Sequence, residues 1–135
     1  MNNLRKKFYK KLFLIAAFYD FILGFIFLFF YKPLFRALKI PIPLDSSYLS
    51  LSAAFVFTLG IAYYLIYKNI EGNRDLVKVG IFYKFTYVLI SLYYFLFGTV
   101  PHMIFVVFAI FDTIFLVLFL EFLVYILRNQ EQENK

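Results

Sequence analysis

The sequence predicts an all-α membrane fold: an up-down-up-down bundle of four transmembrane helices, with both termini in the cytoplasm. Three observations carry this. Hydrophobic residues make up 64% of the 135 and charged ones only 16%, against roughly 45–50% and about 25% in a soluble domain. Four apolar stretches each reach the ~20 residues a spanning helix needs. Basic residues gather on alternate sides of those stretches. A water-soluble chain this short exposes much of its surface, and too few polar side chains are present to cover it. Composition therefore excludes a soluble enzyme, a soluble binding module and a disordered chain.

The helices are expected at about 8–31, 48–70, 76–97 and 101–127, in one domain over 1–135, with a frayed polar tail at 128–135. The first apolar run, Leu12–Tyr31, follows a basic start and so resembles a signal peptide. It is too long for one, and no small-residue cleavage site follows, so it is read as helix 1. The connector after it carries Pro33, Pro41 and Pro43, which prevent one continuous helix. Phe35, Leu38, Arg36 and Lys39 predict a short interfacial segment there. Asp45, Ser46 or Ser47 then suits the cap of the next helix. In the second connector Gly72 suits a left-handed residue past a helix end, and Asp75 suits the N-cap of the third span. The third connector is tight: Gly98 ends one helix and Pro101 opens the next. His102 is expected as a solvated turn residue.

Orientation follows from Lys and Arg. With the N-terminus inside, ten fall on the cytoplasmic side and three, in the first connector, on the other, which places both termini in the cytoplasm of a cell membrane. The net charge of +6 belongs to this pattern rather than to nucleic-acid binding. The basic, amphipathic LRKKFYKKLF is expected to rest on anionic lipid headgroups. No cysteine is present, which removes disulfides and thiol chemistry. HExxH, P-loop, GxSxG and GxxxG patterns are absent too, so no cofactor or metal is expected.

Asp20, Lys84 and Asp112 interrupt otherwise apolar spans. A central charge costs about 2.5–3.5 kcal/mol on insertion scales, so these three should face the bundle interior. At ~1.5 Å per residue, Asp20 and Lys84 each lie about 12 Å from the cytoplasmic edge. Asp112 lies about 13–14 Å from the opposite edge, which puts all three in one layer of a ~30 Å core. Lys84 is thus expected between the two carboxylates. Such a group is one positive charge short, and a proton held by one carboxylate would balance it.

Small and polar residues mark helix contacts in membranes. They predict inward stripes of Ala16, Asp20 and Gly24 on helix 1, and of Ser50, Ala53, Phe57, Gly60 and Tyr64 on helix 2. On helix 3 the stripe is Gly80, Lys84, Tyr87, Ser91 and Gly98; on helix 4 it is Ala109, Asp112 and Thr113. Tyr87, one turn from Lys84, is placed to donate to a carboxylate, with Ser91 and Thr113 as further polar support. Glu121 falls on another face, with Tyr125 and Arg128, as an interfacial pair. Asn73, Arg74 and Asp75 in the cytoplasmic loop read as capping and positive-inside charge, or as a headgroup contact. The remaining aromatics, 21 Phe and 12 Tyr in all, read as lipid-facing bulk. Tyr19-Asp20-Phe21-Ile22 resembles Phe111-Asp112-Thr113-Ile114, a faint internal repeat.

Gly60, Tyr63, Asn73, Arg74, Asp75, Gly80, Lys84 and Asp112, with the short GTVPH turn, form a pattern over roughly the C-terminal half. It resembles small four-helix bacterial membrane proteins of uncharacterised function, and the chain is similar in size to DoxX-like proteins. The resemblance implies a four-helix membrane fold and no particular activity. The function class expected is a non-enzymatic accessory or structural subunit, as a homo-oligomer or within a larger membrane complex. Its rivals are a small proton- or cation-coupled transporter and a membrane enzyme or binder for a lipid or other hydrophobic substrate.

Overall fold

The computed structural model describes residues 3–100 and 102–133, and over these it is helical apart from short connectors. The helices are α1 (Asn3–Phe29), α2 (Tyr31–Ala37), α3 (Ser47–Lys68), α4 (Arg74–Phe97) and α5 (Met103–Glu133). Four of them are long and apolar enough to cross a membrane: α1, α3, α4 and α5, with mean hydropathy of 2.4, 1.9, 1.5 and 2.8 in their most apolar stretches.

Several boundaries differ from expectation. α1 starts at Asn3 rather than near residue 8, so the basic N-terminal segment is the beginning of the spanning helix itself. It is held there by packing: Tyr9 is buried, and the Arg5 guanidinium lies 4.7 Å from the Tyr125 ring centre. The chain breaks at Phe30 (φ −125°) and restarts as α2. Pro33 then falls in the first turn of a helix, where its missing N–H costs nothing. The expected interfacial segment is this helix, and it packs inward: Tyr31, Phe35 and Ile40 are buried with Phe27 and Ala53. α5 continues to Glu133 where a frayed tail was expected from 128. Arg, Gln and Glu are good helix formers, and no Gly or Pro interrupts them. Pro101, and the tail's last two residues, lie outside the described residues.

The connectors use side chains more than glycine. Asp45 Oδ1 accepts the Ser47 N–H at 2.8 Å at the start of α3, which holds that carboxyl below its ordinary range. Gly72 is not left-handed; no described glycine has a positive φ, and Lys39 (φ 56°) is the non-glycine residue that does. Instead the Gly72 N–H donates to Asn69 Oδ1 at 3.0 Å. Asp75 is not the N-cap of α4: that position is Asn73, and Asp75 sits in the first turn. Gly98 closes α4 in extended conformation. His102 accepts the Ile104 N–H at 3.1 Å and so opens α5.

α1 and α3 meet at two glycines. A methyl group on Gly24 would lie 2.7 Å from the Phe57 Cα, and one on Gly60 would lie 2.6 Å from the Phe21 nitrogen. Backbone therefore rests on backbone, as small residues permit between membrane helices. The inward stripe of α3 differs from the expected one: Ala53, Gly60, Tyr63 and Ile66 are buried, whereas Tyr64 is 45% exposed. An α3 apolar on every side carries no periodic signal to choose between Tyr63 and its neighbour.

Candidate functional site: a buried Asp–Lys–Asp group

Two apolar clusters sandwich the charges. One gathers Tyr9, Phe13, Tyr63, Ile66, Val77, Phe119 and Phe122 from α1, α3, α4 and α5. The other gathers Phe27, Tyr31, Phe35, Ile40 and Ala53. Between them Lys84 of α4 reaches across to α1 and α5. Its Nζ donates to Asp20 Oδ1 at 2.8 Å and Oδ2 at 2.9 Å, and to Asp112 Oδ1 at 2.7 Å. An ammonium has three protons, and each has a carboxylate oxygen to point at. All three residues are buried, Lys84 fully.

The ammonium is also boxed by rings. Its Nζ lies 5.4 Å from the ring centre of Tyr19, 5.6 Å from Tyr63, 5.5 Å from Tyr83 and 5.6 Å from Phe115, within the ~6 Å range of cation–π attraction. Gly80 makes room for one wall: a methyl there would fall 2.6 Å from a Tyr63 ring carbon. The Tyr19 and Tyr63 hydroxyls are buried with no hydrogen-bond partner. These four rings were not singled out in the sequence as ligands of the charge, and reading the aromatics only as lipid-facing bulk is corrected here. A signal was present. Tyr19 and Tyr83 directly precede Asp20 and Lys84, Phe115 is one turn past Asp112, and Gly80 is one turn before Lys84.

The supporting polar residues are placed otherwise than expected. Thr113 is exposed, and its hydroxyl donates back to the Ala109 carbonyl of its own helix at 2.7 Å. A short hydroxyl on a helix finds its own backbone before it can reach a neighbour. Tyr87 does not reach either carboxylate: the hydrogen bonds to Asp20 and Asp112 come from Lys84, and Ser91 lies one turn further along α4. Tyr87 and Ser91 line a groove between the Gly98 end of α4 and the start of α5. This groove, about 640 Å³, is walled largely by apolar side chains such as Leu92, Phe95, Val106 and Ile110. A second cavity of about 140 Å³ has Asp20, Asp112 and Tyr83 in its wall, together with Phe27 and Ala53. Tyr87 and Phe105 belong to both.

The loop residues close local structure. Asn73 Nδ2 donates to the Leu65 carbonyl at 2.8 Å, Arg74 Nε to the Glu71 carbonyl at 2.8 Å, and Lys78 to Asp75 at 2.8 Å. Glu121 accepts from the Tyr9 hydroxyl at 2.9 Å. Lys6 pairs with Glu71 at 2.8 Å, and Lys10 lies 5.1 Å from the Tyr67 ring centre. Part of the basic N-terminal segment is thus engaged within the chain, while Lys7 and Lys11 are exposed. Among the described residues no group of His, Cys, Asp and Glu is arranged to hold a metal.

Comparison of the chain with protein-family models, curated proteins and solved structures yields no match.

Proposed function

We propose that the protein is a small multi-pass component of the cell membrane, with spans running alternately up and down and both termini in the cytoplasm. Its role is that of a non-enzymatic accessory or structural subunit, held in register by the Asp20–Lys84–Asp112 group. One observation carries the reading: a fully buried ammonium joins three different helices through carboxylates of two of them. Intramembrane charges that pair in this way fix helix rotation and depth. The surroundings support a clamp rather than a reaction centre, since rings enclose the ammonium. The exposed face of α4, with Leu89, Leu92 and Phe95 each more than half accessible, supports assembly with further membrane helices.

Thermal unfolding in mild detergent tests the clamp. Lys84→Met leaves two buried carboxylates facing each other and should cost about 3–5 kcal/mol, the usual penalty for breaking a buried pair from one side. Asp20→Asn and Asp112→Asn should cost less, and the triple neutral variant should remain well below wild type. A triple variant as stable as wild type would sink the structural role. Topology is tested separately. With no native cysteine, Lys39→Cys should label from outside intact cells with an impermeant maleimide, and Glu71→Cys only after lysis.

A further inference from the structure

The cavity beside the charge group is open to a ligand at one defined atom. Asp20 spends both carboxylate oxygens on Lys84, whereas Asp112 spends only Oδ1. Among the described residues Asp112 Oδ2 accepts no hydrogen bond, and its side chain keeps 7% of its surface accessible against 1% for Asp20. Asp112 lines the smaller cavity, and through Tyr87 and Phe105 that cavity shares walls with the larger apolar groove between α4 and α5. The groove's volume of about 640 Å³ falls within the roughly 300–1,000 Å³ of small-molecule sites. Two carboxylates and one ammonium sum to a formal charge of −1. In a low-dielectric site that charge has to be balanced by a proton or by a bound cation.

We propose that this cavity binds a single-chain aliphatic amine. Its nitrogen sits against Asp112 Oδ2 and its hydrocarbon chain lies in the groove between α4 and α5. The amine enters from the bilayer as the free base. It takes the proton that balances the carboxylate, so the proton passes from Asp112 to nitrogen and the site's total charge is unchanged. A fatty alcohol offers the same chain and only a neutral donor. An alkyl sulfate is too weak a base to take the proton from Asp112, and it would add an unbalanced negative charge to the site. A diacyl aminophospholipid holds its ammonium at the interface, about 13 Å short of Asp112 by helix rise, and so cannot place a nitrogen against Oδ2. The inference rests on the membrane placement proposed above and is independent of whether the charge group is needed for stability.

The test uses the full chain in phosphatidylcholine nanodiscs, with radiolabelled dodecylammonium as probe and empty nanodiscs as blank. The expected result is saturable binding, one probe per chain, displaced by unlabelled dodecylamine. Dodecanol should compete about tenfold more weakly or worse, and dodecyl sulfate not at all. Asp112→Asn should lower affinity about tenfold or more. Because that variant also weakens the clamp, Ala109→Phe provides an independent arm. It fills the groove without touching the ion group, and should abolish binding while the unfolding temperature stays at wild type. Dodecanol binding as well as dodecylammonium, or Ala109→Phe binding as well as wild type, would overturn the proposal. Displacement by phosphatidylethanolamine at equal concentration would also overturn it, by making the occupant a bilayer headgroup. A triple neutral variant as stable as wild type would count against the structural reading alone and leave this one standing.

Discussion

The two ends of the bundle are packed differently. At the end that holds the chain termini, α1, α3, α4 and α5 converge on a dense aromatic core: Phe13 stacks on Phe119 at 4.7 Å between ring centres, and Tyr63 meets Phe119 at 5.2 Å. At the other end α4 leans on little. From Leu92 to Phe97 each of its side chains is more than half exposed, and a groove separates it from α5. The charge group lies at the junction between the two regimes. At one end all four long helices are thus anchored by rings and by ions; at the other α1, α2 and α3 still close on the second cluster, while α4 is left open to lipid, ligand or partner. In a bilayer such openness carries no water penalty, because lipid tails are as apolar as the side chains they cover.

Substitutions can break that contrast in graded steps. The largest effect after loss of Lys84 should come from Gly24→Val, which drives a side chain into the Phe57 backbone. Backbone cannot step aside as a side chain does, so about 3 kcal/mol is expected, the upper end of the range for overpacking; detergent unfolding reads it. Phe119→Ala in the dense half should cost roughly 1–3 kcal/mol. That is below the ~3–5 of a water-soluble core, because the unfolded reference in lipid is apolar too. Leu92→Ala in the open half should fall within about 0.5 kcal/mol. Equal effects of these two would erase the difference between the ends. The smallest effect should come from the exposed Lys6–Glu71 pair. The Lys6 hydrogen bond holds the Glu71 carboxyl below its ordinary range. Its contribution is therefore present above the unfolded value of about 4.3 and is lost as pH falls through the depressed one. For an exposed pair this amounts to a few tenths of a kcal/mol, screened by salt. Glu71→Gln should flatten that acid-side slope without moving stability at neutral pH by more than this.

The charge group shows why some of the site was legible in advance. Asp20, Lys84 and Asp112 stood out because each is a charge within an apolar span, and the rise per residue was enough to place them at one depth. The choice of Tyr63 over Tyr64 had no such signal. On a helix that is apolar all round, rotating by one residue changes nothing in the pattern. Tyr87 and Thr113 were misjudged for a related reason. Proximity along a helix was taken for proximity to the carboxylates, but their side chains are engaged within their own helices or line the groove. The aromatic box needed rings from α1, α3, α4 and α5 to meet around one nitrogen, a coincidence that no single stretch of sequence displays. The connectors were legible in kind and not in detail. Pro33 and Asp45 act as their chemistry requires, but Gly72 adopts an ordinary φ because Asn69 supplies the partner for its N–H.

By itself the sequence determined that there are four long apolar helices, roughly where each begins and ends, and that three charges lie at one level within them. These follow from local quantities: hydropathy, helix rise, and the cost of a charge away from water. Only the tertiary structure decided which face of each helix turns inward, and which rings close on Lys84. It also decided that Asp112, and not Asp20, keeps an oxygen free beside a cavity. Those depend on how helices approach one another, and Gly24, Gly60 and Gly80 govern that approach by what they lack, in places where the hydrophobic pattern is uniform.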